Sequence, residues 1–160
     1  MHLFVVRHAI AEERQPDQQD PDRALTKDGE RKLRAAVRGM RALEWRFERV
    51  LASPWARAAR TAELLAPVSE QAPIVTELLC QPPRKELLAL ISEGSGATTA
   101  VVGHEPWLGE LVALLAFGDG RHGEALELRK SGVVWLEGTV VPAGMLLRAI
   151  VPPKLLRAVR

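Results

Sequence analysis

The chain has 160 residues, the length of one domain, and enough to bury a sizeable core. Apolar content of 47% and charged content of 26% are ordinary for a soluble globular protein. No apolar stretch approaches the roughly 18 to 20 residues that span a bilayer, and Met1 to Val6 lacks the regions of a secretory signal. Cys80 is the single cysteine, so no intrachain disulfide forms. These features predict a cytoplasmic protein with no membrane partner. The net charge of +2 is small but unevenly spread: acids dominate Glu12 to Asp22, and eleven bases face four acids from Arg23 to Arg60. A basic third of the chain can attract phosphates or an acidic protein surface, but solvated helix faces in an Arg-rich protein are the preferred reading. No nucleic-acid motif accompanies the bases, and aromatic content is only 4%, so no nucleic-acid partner is expected.

Strand and helix signals then alternate. His2 to Val6 reads as a buried strand. Glu30 to Leu43 reads as a helix, because Leu33, Ala36, Val37 and Met40 recur at helical spacing, with Thr26 as N-cap. Arg49 to Ala52 is a short second strand. Ser53-Pro54 starts a helix, Ser capping and Pro at the first position, that stops before Pro67. Ile74 to Thr76 is a third strand. A helix from Arg84 to Glu93 follows Pro82-Pro83, and Gly94-Ser95-Gly96 is a turn. Thr98 to Val102 is a second deeply buried strand, and Pro106 to Phe117 an apolar helix. Gly132 to Leu136 and Met145 to Val151 read as two last strands, joined by a turn near Pro142 to Gly144. Pro152-Pro153 is expected to end regular structure. There is no repeat or linker, so residues 1–160 form a single α/β domain. The alternation implies a mostly parallel sheet with helices on both faces.

Four residues fall at equivalent places in this pattern. Arg7 and His8 directly follow the first strand, and His104 follows the strand ending at Val102. Both positions face the crevice beyond the carboxyl ends of the strands, where open α/β sheets build their sites. Arg57 falls in the first turn of the helix begun by Ser53-Pro54, beside backbone N–H groups that also favour an anion. A guanidinium fork matches phosphate oxygens. A neutral His8 imidazole can attack phosphorus and carry the phosphoryl group for half a reaction, while Arg7, Arg57 and His104 neutralise the equatorial oxygens.

The segments Val5-Val6-Arg7-His8-Ala9, Arg23-Ala24-Leu25-Thr26-Lys27-Asp28-Gly29, Ser53-Pro54-Trp55-Ala56-Arg57-Ala58-Ala59-Arg60-Thr61-Ala62 and Val102-Gly103-His104 resemble the histidine phosphatase superfamily. The likeness covers about residues 1 to 110. The short chain resembles the smallest branch, the SixA-type phosphohistidine phosphatases. The resemblance implies a phosphoglycerate mutase-like fold, His8 as the phosphorylated nucleophile, and Arg7, Arg57 and His104 as the rest of the phosphate pocket. It implies no cofactor and no metal. It also implies a phosphorylated protein as substrate, such as a histidine phosphotransfer domain. The family commonly has Gly after the Arg-His pair, where this chain has Ala9.

Larger superfamily members use a carboxylate as general acid. Here Glu77, Glu12 and Glu13 are weak candidates, and Glu105 reads as an acid favoured by a helix dipole. An imidazole leaving group tolerates a weak acid site. The chain is also too short for a large lid, and an open pocket suits a side chain on another protein. A small-molecule phosphomonoesterase on the same scaffold is the first alternative, and a non-catalytic phosphate- or protein-binding module the second. Two other chemistries fail. Cys80 has Glu86 where a cysteine-based phosphatase needs its arginine. Leu108 stands where a His-Glu-x-x-His zinc helix needs its second histidine.

Overall fold

The computed structural model describes residues 1–94 and 98–159. Eleven elements follow one another: β1 (His2–Arg7), α1 (Lys27–Ala42), β2 (Arg49–Ala52), α2 (Ala56–Leu64), β3 (Ile74–Val75), α3 (Lys85–Ser92), β4 (Thr98–Gly103), α4 (Trp107–Phe117), β5 (Val133–Gly138), β6 (Met145–Val151) and α5 (Pro153–Ala158). The six strands form one sheet in the order β3-β2-β4-β1-β5-β6. The first four run parallel; β5 and β6 are antiparallel to their neighbours. The expected α/β sheet with helices on both faces is therefore present, with a two-stranded antiparallel extension.

β1 and β4 are interior strands covered on both faces, which is why their sequences are continuous apolar runs rather than alternations. Successive side chains still point to opposite faces. Phe4, Val6, Val50, Ala52, Ala100 and Val102 meet Leu33, Val37 and Met40 of α1, Ala58 and Ala62 of α2, and Leu156 of α5. Leu3, Val5, Leu51 and Val101 turn the other way, onto Leu87 and Ile91 of α3 and the Leu108, Leu111, Val112 and Leu115 face of α4. These two layers fix the sheet from both sides and bring the ends of β1, β2 and β4 level.

Several boundaries depart from the sequence reading. Thr26 does cap α1, its Oγ1 accepting from the Gly29 N–H at 2.9 Å, but the helix already begins at Lys27. Ser53 is not the N-cap of α2. Trp55 holds that place, and Ser53 Oγ accepts from the Trp55 N–H at 3.2 Å. The expected third strand is reduced to the exposed edge pair Ile74–Val75. Pro152-Pro153 does not end regular structure: Pro153 occupies the first turn of α5, a position where its missing N–H costs nothing. Leu156 of α5 is fully buried against α1. Gly39 makes this contact possible, because a Cβ there would run into the Leu156 carbonyl oxygen. The turn expected at Gly94-Ser95-Gly96 falls, at Ser95 and Gly96, outside the described residues. No helix among the described residues is long and apolar enough to cross a membrane.

Candidate active site

The carboxyl ends of the parallel strands are tied together by backbone bonds before any side chain acts. The His8 N–H donates to the Gly103 carbonyl at 3.1 Å, and the Ser53 N–H to the Val102 carbonyl at 3.0 Å. Thr61, in the middle of α2, adds a second tie: its Oγ1 accepts from the Ala9 N–H at 3.0 Å and donates to the Arg57 carbonyl at 2.7 Å. The start of α2 is thereby locked to the residue after His8. Ala9 is fully buried and is not among the residues with positive φ, so its methyl fits where the family commonly has Gly.

On this frame His8, Arg57 and His104 converge. The three side chains are buried, each within a few per cent of complete. His8 Nδ1 lies 2.7 Å from the Ala9 carbonyl oxygen, which can only accept. The proton therefore sits on Nδ1, and Nε2 carries a free lone pair. Arg57 Nε donates toward that Nε2 at 3.3 Å. Burial, with the positive fields of Arg57 and Arg7, pushes the His8 imidazole down to about 4, against the opposing pull of the Ala9 carbonyl. Burial and the Arg57 charge push His104 down to about 3. At neutral pH both rings are uncharged, and their centroids are 5.2 Å apart.

His104 has one nitrogen engaged: Nε2 is 2.8 Å from Ser53 Oγ. Its Nδ1 is buried and has no partner in the protein. Such an orphan costs about 1 to 3 kcal/mol unless something fills it. If the Ser53 hydroxyl donates to Nε2, then Nδ1 bears the proton, and His104 presents a donor to an incoming oxyanion. Trp55 and Trp107 enclose the ring, with centroids at 4.5 and 6.3 Å. Trp55 also lies under the Arg57 guanidinium, 4.8 Å from its carbon, a favourable cation–π stack. Arg7 points its Nη1 at the Leu128 carbonyl, 2.9 Å away, and leaves a buried Nε without a partner.

Two participants were not visible in the sequence reading. Asp20, in a short 3₁₀ turn over Asp20–Asp22, closes on Arg57 from outside. Its Oδ2 accepts from Arg57 Nη2 at 2.9 Å and its backbone oxygen from Nη1 at 2.7 Å. Partial burial opposes ionisation of Asp20, but the Arg57 hydrogen bond and charge, with Arg23 3.0 Å behind, hold the carboxyl below its usual range. Asp20 was one of several acids in an acidic loop, and only the chain's path over α2 singles it out. Ser53 is the other; the Ser-Pro pair reads as a cap, yet the hydroxyl serves His104 and lies 3.1 Å from Cys80 Sγ.

The three acids considered as proton donors, Glu12, Glu13 and Glu77, are all exposed. Burial pushes the Cys80 thiol up against the Ser53 hydrogen bond, and the Glu77 charge adds to the rise. Glu105 behaves as a helix-start acid in part: its Oε2 accepts from the Gly109 N–H at 3.0 Å. Its Oε1 is buried and unpartnered, and burial raises its carboxyl rather than leaving it readily ionised. No group of three or more His, Cys, Asp or Glu among the described residues is placed to hold a metal ion.

Two buried neutral imidazoles and a buried guanidinium thus lie together beyond the carboxyl ends of β1, β2 and β4. The family model of the histidine phosphatase superfamily (branch 1) matches residues 3–80. A relative from Picosynechococcus sp., described only as an uncharacterized protein, is 35% identical over 142 residues, 85% of this chain and 84% of its own length.

The chain belongs to the histidine phosphatase superfamily.

Among solved structures, that of the protein histidine phosphatase SixA complexed with tungstate matches with a TM-score of 0.80 and 26% identity, covering 98% of this chain and 99% of that one. A phosphoserine phosphatase from Entamoeba histolytica, in complex with 3-phosphoglyceric acid, shares the fold at 15% identity, with a TM-score of 0.72 over 94% of this chain and 96% of its own. This histidine phosphatase is thus of the SixA type and is a phosphatase.

Proposed function

We propose that this histidine phosphatase removes the phosphoryl group from a phosphohistidine side chain of another protein, through a phosphorylated His8 and without a metal. The observation that carries the reading is His8 itself: buried, neutral, its Nδ1 proton held by the Ala9 carbonyl and its Nε2 lone pair turned to Arg57. In the first step the Nε2 lone pair forms a bond to phosphorus as the bond to the substrate nitrogen breaks, and the leaving imidazole takes up a proton. Arg7 Nε and His104 Nδ1, both buried and without a hydrogen-bond partner in the protein, are the groups we assign to receive phosphoryl oxygens. Water then attacks phosphorus, the His8–phosphorus bond breaks, and inorganic phosphate leaves.

The acids support this substrate class. Asp20, the carboxylate bonded to Arg57, is held ionised by it and is a poor proton donor. An imidazole leaving group needs little protonation help, whereas an alkoxide needs a strong donor. A small-molecule phosphomonoesterase is the second reading, favoured by Glu105, whose carboxyl burial pushes up. Side-by-side turnover of a phosphohistidine-bearing phosphotransfer domain and a panel of phosphomonoesters separates the two, with His8→Ala as the blank. Faster turnover of the phosphohistidine, with labelling by radioactive phosphate that disappears in His8→Ala, is the expected result. Persistent labelling of that variant would overturn the assignment of His8, and preference for an ester would overturn the substrate class.

A further inference from the structure

Arg7 lies on the border between two grooves of opposite charge. On one side is a groove of about 480 Å³ whose wall holds Arg7, Lys32, Arg129, Lys130 and Arg157, with Glu127 as the single acid. On the other, a groove of about 360 Å³ joins Arg7 to Glu105, Glu110, Glu124 and Glu127. The basic side is only partly neutralised. Arg129 pairs with Glu127 at 3.1 Å and Lys32 with Asp28 at 2.6 Å. Lys130 and Arg157 have no ion pair among the described residues. Ser131, beside Lys130 in the wall of this groove, donates its backbone N–H toward the His8 carbonyl at 3.2 Å, so the basic groove adjoins the segment that carries His8. The cations come from four separate places in the chain, the end of β1, the first half of α1, the loop before β5 and helix α5. The groove therefore exists only because α5 folds back on α1.

We propose that this basic groove docks an acidic stretch flanking the phosphohistidine of the protein substrate, while the glutamates on the far side of Arg7 repel it from the opposite register. The proposal rests on the phosphohistidine reading above. Charge complementarity supports it. A run of carboxylates on one side of the target residue meets unneutralised Lys130 and Arg157 in one orientation and Glu110 and Glu124 in the other. Such fields act mainly on encounter and register, so they enter kcat/KM and fade with salt.

The test uses two synthetic peptides, each phosphorylated on one histidine with phosphoramidate. One carries four glutamates beside the target, the other four lysines. The readout is the ratio of their kcat/KM values, which a general loss of folding or chemistry does not move. The expected ratio favours the acidic peptide about tenfold at low salt and shrinks below about threefold in 1 M salt, where the screening length falls to roughly 3 Å. In the double variant Arg157→Glu with Lys130→Glu the ratio should fall to one or invert. Equal turnover of both peptides by the unaltered enzyme would overturn the docking inference and leave the phosphohistidine reading standing. A ratio unchanged in the double variant would also overturn it. Turnover of neither peptide, beside good turnover of an ester, would overturn the phosphohistidine reading and the groove with it.

Discussion

A histidine kept neutral by burial must destabilise the fold when acid arrives, and the size of the effect follows from the site. His8 has an ordinary value of 6.5 and a folded value of about 4. Below 6.5 the unfolded chain binds a proton that the native state refuses. Stability is therefore full above that value, falls as pH drops through the window from 6.5 to 4, and changes no further below it. Linkage over that window gives a loss of about 2 kcal/mol from His8 between pH 7 and pH 5. His104, held near 3, adds a similar loss over the same interval. Replacing His8 by Asn removes the first contribution and leaves the second. Urea unfolding of both proteins at pH 7 and pH 5 measures the difference, which at usual slopes is a shift of about 1 M in the midpoint. The His8→Asn protein should lose about 2 kcal/mol less than the unaltered chain. Equal losses would mean that His8 titrates like a histidine in water, and the neutral-nucleophile argument would fail with it.

Two further outcomes test the surroundings. Asp20→Asn removes the charge that competes with an incoming anion for the Arg57 fork. A partly exposed ion pair is worth about 0 to 1 kcal/mol, so inorganic phosphate should inhibit up to about fivefold more tightly; weaker inhibition would show that Asp20 positions Arg57 instead. Thr61→Val keeps the shape but strands the buried Ala9 N–H, at a cost of about 1 to 3 kcal/mol. Thermal unfolding should fall by roughly 3 to 10 °C; a fall under one degree would show the Thr61 tie to be dispensable.

The parts legible in the sequence were those with a strong local signature. Continuous apolar runs marked β1 and β4, helical spacing marked α1, and the places of His8, Arg57 and His104 after or within their elements were readable from those patterns. His8, Arg57 and His104 do meet. Misread features depended on distant chain. Ser53-Pro54 carries the local chemistry of a cap, yet the nearness of His104 gives the hydroxyl another partner. Pro153 reads as a stop, and only the space left by Gly39 on α1 turns it into the first turn of a docked helix. Asp20 sits among four other acids between Glu12 and Asp22, and nothing local distinguishes the one that reaches Arg57.

The sheet order also governs how the enzyme comes into being. β1, which leads into His8, is made before its neighbours on either side, which begin only at Thr98 and Val133. Until both arrive, an apolar strand with two open edges waits without a partner. Long-range pairing of this kind folds slowly and leaves strand edges exposed to aggregation in the meantime. His8 is thus synthesised well before the strands that enclose it, and a chain released before β5 would carry the proposed nucleophile without the sheet that buries it.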